Sequence, residues 1–225
     1  MDSSVSYREH PSYWNDFYQR GHAAAPRLPS QFAAFALGEM LTPDSPMGQI
    51  DGVIEFGCGN GRDSQLFAAH GLSVLGLDES IEAIGLCRVA GLPAHARFEC
   101  CAARQAREAV EVFAEQHSRV AVYARFFLHA ISEEDEHSLL ALLQATLPEG
   151  APLFLEYRTT ADADQHKIFG ESHYRRYLDH RATLARIAAA GFATVYEIEG
   201  RGFAKYREED ALVGRCIAIR NASLA

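Results

Sequence analysis

The stretch Val53-Ile54-Glu55-Phe56-Gly57-Cys58-Gly59-Asn60-Gly61-Arg62-Asp63, continued by Val74-Leu75-Gly76-Leu77-Asp78-Glu79-Ser80, decides the fold. Each half is an apolar run of strand length ending in an acidic or glycine-rich turn, and an amphipathic segment, Ser64 to His70, lies between them. This is the pattern of a βαβ nucleotide site. Glycines at 57, 59 and 61 let the backbone turn sharply after the first strand and approach a ligand more closely than a Cβ permits. Asp78, closing the second strand, is placed to accept hydrogen bonds from two ribose hydroxyls.

The loop chooses among adenosine cofactors. A dinucleotide fingerprint is G-x-G-x-x-G, its third glycine one turn into the helix so that backbone amides cradle a pyrophosphate. Here the spacing is G-x-G-x-G, with Glu55 two residues ahead of it. A carboxylate there repels pyrophosphate but suits the ammonium of a methionine moiety, directly or through water. The expected cofactor is therefore S-adenosylmethionine rather than NAD.

The motif E-x-G-x-G-x-G-R-D-S followed by G-L-D-x-S resembles that of class I S-adenosylmethionine-dependent methyltransferases, over about Val53 to Gly150. The resemblance implies an enzyme that transfers a methyl group. On this chain it assigns the cofactor to Glu55, Gly57, Gly59, Asp63, Asp78, Glu79 and Ser80. After the third strand, relatives often carry an Asp facing the adenine amine. Cys100, Cys101 and Ala102 stand there instead, which leaves only backbone groups of Cys101 and Ala102 for that contact; two packed thiols are the plainer reading.

At 225 residues and 48% hydrophobic, the chain suits one compact α/β domain and leaves no room for a second full one. Strands alternate with helices, as in a doubly wound sheet. Seven strands are expected: Gly52 to Phe56, Ser73 to Leu77, Ala96 to Cys100, Val120 to Phe126, Pro152 to Tyr157, Ala193 to Gly200 and Leu212 to Arg220. Helices are expected over Ser30 to Met40, Arg62 to His70, Ser80 to Ala90, Ala103 to His117, Glu133 to Leu147 and Thr183 to Ala190. Residues 1–45 read as an N-terminal helical lid and 46–225 as the cofactor-binding core.

Five cysteines without a C-x-x-C pair argue against a disulfide framework or a zinc site, and no metal is expected. The start lacks a signal-peptide pattern and no segment approaches the ~20 apolar residues of a membrane span, so a cytoplasmic protein without a membrane partner is expected. A formal net charge of −9 disfavours nucleic acid, whose phosphates require clustered Lys and Arg. The expected partner is a small molecule; a homodimer is left open.

In doubly wound sheets, ligands sit beyond the carboxyl ends of the strands. Strand four ends in Tyr123-Ala124-Arg125-Phe126-Phe127-Leu128-His129. The resemblance places this turn beside the sulfonium and the acceptor, which nominates Arg125 and His129 as catalytic and Arg125 as a cofactor contact too. The plainer alternative has His129 capping a turn and Arg125 pairing with Glu156. Strand five ends in Glu156-Tyr157-Arg158, and His173-Tyr174-Arg175-Arg176-Tyr177 and Lys205 follow. Arg158, His173, Tyr174, Arg175, Arg176 and Lys205 are thus candidate substrate contacts, although Arg175 and Arg176, as helix neighbours, cannot both face the cleft.

Such cations suit an anionic acceptor, because the guanidinium fork matches phosphate or carboxylate oxygens. An oxyanion acceptor needs alignment more than a base, whereas an alcohol needs proton removal by His129 or Glu156. The alternatives are a neutral acceptor, methylated on oxygen or nitrogen, and a non-catalytic binding subunit. The runs R-F-F-L-H-A-I with S-E-E, H-Y-R-R-Y and G-F-A-K-Y-R-E-E-D are also similar to the methyltransferase part of bacterial kinase-methyltransferases that cap O-antigen polysaccharide on a terminal phosphate. That likeness implies phosphate-type methylation. The kinase half is absent, so a small metabolite is equally plausible. Finally, Tyr13, Trp14, Phe17 and Tyr18 precede a Pro-rich loop; as a lid they place Tyr13 or Trp14 against the methionine end of the cofactor, or else they form a packing staple.

Overall fold

The computed structural model describes residues 10–21, 26–43, 45, 47–89, 95–164 and 174–222. Its centre is a seven-stranded sheet of β1 (Gly52–Phe56), β2 (Ser73–Asp78), β3 (Ala96–Cys100), β4 (Val120–Arg125), β5 (Pro152–Arg158), β6 (Phe192–Gly200) and β9 (Val213–Arg220). A two-stranded hairpin, β7 (Lys205–Tyr206) and β8 (Glu209–Asp210), rises between β6 and β9. The sheet order is β3-β2-β1-β4-β5-β9-β6, and β9 alone runs opposite to the other six strands. This is the expected doubly wound, mostly parallel sheet of the class I methyltransferase fold.

The strands form where they do because they are buried on both faces. Every residue of β1 and β5 is buried, which the continuous apolar runs required. Alternate residues feed two cores. Val53, Val74, Tyr123 and Phe154 pack with Phe32 and Met40 of α2 (Gln31–Leu41) and Phe67 of α3 (Arg62–Ala69). Ile54, Leu75, Val122 and Leu153 pack on the other face with Val110 of α5 (Arg107–Glu115), Leu143 of α6 (Glu133–Thr146) and Ile187 of α7 (His180–Ala189). α4 (Ile81–Val89) lies beside β3, and α1 (His10–Gly21) packs against α4. Thus α2 belongs to the core, whereas α1 is an outer layer.

Several expected boundaries move for local reasons. The helix expected over Ala103 to His117 is split into a 3₁₀ turn, Ala103–Gln105, and α5. α7 starts at His180 rather than Thr183 because the Asp179 carboxylate caps it, accepting the Ala182 amide at 2.8 Å. Residues 174–177 are not helical. The Arg176 amide donates to the His129 carbonyl at 2.8 Å and the Leu178 amide to Arg158 at 3.2 Å, so this segment runs extended along the end of β5. All five cysteines are free thiols. Among the described residues, no helix is long and apolar enough to cross a membrane and no side-chain cluster could hold a metal.

Candidate functional site

A cavity of about 620 Å³ opens beyond the carboxyl ends of β1, β2, β4 and β5, between them and α1, the segment Pro26–Ser30 and the β7–β8 hairpin. The turn after β1 shapes its floor. Gly57 has φ 71° and a Cβ there would stand 2.6 Å from the Phe127 ring; Gly59 has φ 55° and its Cβ would stand 2.3 Å from the Tyr18 hydroxyl. A side chain at either position would be strained by the backbone conformation and would have to displace these rings.

Acids line this end. Glu55 is 4% exposed and accepts a hydrogen bond from the Ser64 hydroxyl. Burial, then repulsion from the nearby Asp63 carboxylate, pushes its carboxyl well above the ordinary range. Asp78 accepts one backbone N–H on each oxygen, from Gly59 at 2.8 Å and Ser80 at 2.9 Å. Burial raises its carboxyl too, against the pull of those two amides. Each Asp78 oxygen keeps a lone pair for a further donor. Glu79, Cys101 and Ala102 also line the cavity, as do Tyr13 and Trp14 from α1.

Two expected contacts are spent on the protein itself. Asp63 is buried and accepts from the Ser30 amide and hydroxyl, both at 2.7 Å, and from the Tyr123 hydroxyl at 2.9 Å. It anchors the start of α2 rather than presenting a free acceptor. The Ser80 hydroxyl caps α4 by accepting from Ala83 at 3.2 Å and donates to Asn15 of α1 at 2.8 Å.

The far end of the cavity is lined by donors. Arg125, at the end of β4, gives its Nε–H to Glu156 at 2.8 Å; among the described residues its two Nη groups make no hydrogen bond. Its guanidinium lies 4.0 Å from the centre of the Phe126 ring, and that of Arg158 lies 5.1 Å away. Phe126 has φ 56°, a strained conformation for a non-glycine residue, held by the hydrogen bond its N–H donates to the Glu156 carbonyl at 2.7 Å. Lys205 lines the cavity from β7, exposed and in no ion pair among the described residues. Arg175 lines it as well.

Here the structure corrects several expectations. Glu156 is not a candidate base. It is 0% exposed and lies outside the cavity lining, with one oxygen bound by Arg125 and the other by Arg215 at 2.7 Å. His129 does line the cavity, but its Nδ1 accepts the Arg158 amide at 3.1 Å, so the neutral ring carries its proton on Nε2 and acts as a donor. Arg158 is bound by Asp162 at 2.5 Å and by Glu209. Arg176 turns away to Glu136, and Tyr174 is also outside the lining; on an extended segment, alternation sends Arg175 in and Arg176 out. His173 lies outside the described residues.

Sequence reasoning missed Phe126, Arg207 and Glu209, and gave Tyr18 no contact of its own within the lid, although all four line the cavity. The signal for Tyr18 was present: Trp14, Phe17 and Tyr18 share the i, i+3, i+4 spacing of one helix face.

Residues 53–150 match the family model described as a methyltransferase domain. A search of the curated proteins gives no match. Among solved structures, the chain is similar to a SAM-dependent methyltransferase from Anabaena variabilis ATCC 29413, at 16% identity over 98% of this chain and 99% of that one, with a TM-score of 0.69. It is similar to magnesium protoporphyrin IX methyltransferase from Synechocystis PCC 6803 with bound SAH, at 16% identity over 98% of this chain and 100% of that one, with a TM-score of 0.66. The [4+2]-cyclase SpnF superposes with a TM-score of 0.72, at 13% identity over 98% of each chain. At these identities the likeness shows the fold. Residues 53–150 thus match a methyltransferase domain, and the chain is similar in fold to S-adenosylmethionine-dependent methyltransferases.

Proposed function

We propose that this protein methylates an oxygen of a small anionic molecule, a phosphate, phosphonate or carboxylate. The carrying observation is the set of donors and cations, Arg125, His129 and Lys205, that line the cavity beside the ends of β4 and β7, where Glu156 and Glu209 are held by arginines and Asp135 by Ser132.

The acidic end fits the cofactor. The glycine turn leaves a cradle that a Cβ would fill, Asp78 keeps a lone pair on each oxygen for the ribose hydroxyls, and buried Glu55 gains most from a cation, such as the methionine ammonium. Tyr13, Trp14 and Tyr18 line this end, and α1 with Pro26–Ser30 serves as its lid in this reading. When bound, S-adenosylmethionine supplies an electrophilic methyl carbon on its sulfonium.

The chain's own residues then have to bind, orient and keep water away. The Arg125 Nη groups, the His129 Nε2–H and the Lys205 ammonium hold one oxyanion so that another oxygen faces the methyl carbon. An oxyanion has a lone pair ready and loses no proton, which agrees with a site whose histidine is set up as a donor. A neutral alcohol would need a proton acceptor, and Glu156 is not available for it.

Arg125→Ala and Lys205→Ala test this reading. Each is expected to lower turnover at least tenfold with SAH affinity within a few-fold of the parent. Unchanged turnover in both variants would overturn the anionic acceptor.

A further inference from the structure

We propose that Asn60, Arg62 and Asp63 are positioning residues, a latch that holds the segment Pro26–Ser30 over the cavity and so sets how long the cofactor stays bound. The inference rests on the placement of the cofactor at the Gly57–Asp78 end. Pro26–Ser30 lines the cavity between α1 and α2. Apolar burial does not hold it there: Arg27 and Pro29 are exposed and Leu28 is 80% exposed. Hydrogen bonds from the turn after β1 and the first residues of α3 do. Asn60 Nδ2 donates to the Pro26 carbonyl at 3.0 Å, Arg62 Nη1 donates to the Leu28 carbonyl at 3.0 Å, and Asp63 accepts from the Ser30 amide at 2.7 Å.

The Pro26 and Leu28 carbonyls and the Ser30 amide thus meet Asn60, Arg62 and Asp63 in the same order along the chain. The buried end is firm, because Asp63 also holds the Ser30 and Tyr123 hydroxyls. The outer end depends on single bonds to backbone carbonyls. Asn60 shares its turn with Gly57 and Gly59, and Arg62 and Asp63 open the helix that follows, so the groups that cradle the cofactor and the groups that close the roof are contiguous in the chain. The cofactor is retained in part by side chains that need never touch it.

The probe is SAH, with two readouts. Trp14 is the single tryptophan of the chain and lines the cavity, so its fluorescence follows SAH release. Trypsin cleavage after Arg27 reports opening of the roof itself. Asn60→Ala and Arg62→Met are each expected to release SAH several-fold faster, about tenfold when combined, and to be cut faster at Arg27 both with and without SAH. A purely structural role would lower the thermal midpoint and leave release from the folded protein unchanged. Parent-like SAH release and parent-like cleavage at Arg27 in both Asn60→Ala and Arg62→Met would overturn the latch. A parent that does not bind SAH would instead count against the cofactor placement, while Arg27 cleavage in the free variants would still judge the latch.

Discussion

Glu55 carries a testable electrostatic signature. Its carboxyl is pushed up by burial and then by Asp63, so the free protein holds a proton more tightly there than an ordinary glutamate does. An ammonium beside it favours the carboxylate, which lowers that pKa and expels the proton on binding. Affinity for SAH should therefore rise with pH up to the raised pKa of Glu55 and level off above it. Calorimetry at a pH below that plateau, in two buffers of different ionisation enthalpy, should show proton release, and Glu55→Gln should abolish it. Equal enthalpies in both buffers for the parent would contradict the assignment. Asp78→Ala should weaken SAH binding by about 1–3 kcal/mol, the range for lost hydrogen bonds to a charged group; an unchanged calorimetric affinity would remove Asp78 from the ribose.

Between elements, the Arg125–Glu156–Arg215 row joins three strands. Arg125 of β4 and Glu156 of β5 are register partners, as are Glu156 and Arg215 of β9, so a plus-minus-plus ladder crosses the sheet at the mouth of the cavity. Removing the central carboxylate leaves two largely buried guanidinium groups facing each other without a counter-ion. Glu156→Ala should cost about 3–5 kcal/mol by denaturant unfolding, with turnover lost as Arg125 is released. A loss under 1 kcal/mol would show that the ladder is incidental. Pairing of Arg125 with Glu156 was one of two readings open to the sequence. The second arm to Arg215 needed the β5–β9 register, which 59 residues of separation conceal. The same holds for Asp63, whose partner Ser30 lies 33 residues away and whose type alone suggested a ligand contact. The run 173–177 misled differently: its composition permits a helix, but backbone bonds to His129 and Arg158 draw 174–178 out as an extended edge.

Over the whole molecule, the sheet order reverses between β1 and β4, the point from which successive connections diverge and leave a crevice. That crevice was legible from strand ends alone, because apolar runs closing in glycine or acid mark both the strand and its functional end. What lies across it was not legible, since α1, the Pro26–Ser30 roof and the β7–β8 hairpin are brought there by packing with no local signature. With a formal net charge of −9, the protein as a whole repels an anion, so a site for one must supply its own cations locally. Arg125, Arg175, Lys205 and Arg207 line the cavity and meet that need.

The most direct measurement of the central claim is SAH formation from S-adenosylmethionine with a panel of phosphate monoesters, phosphonates, carboxylates, phenols and amines, each with and without the protein. Turnover confined to the anionic acceptors, and lost in Lys205→Ala, is the predicted result. Turnover confined to phenols or amines would contradict the anionic acceptor while leaving the fold and the cofactor class in place.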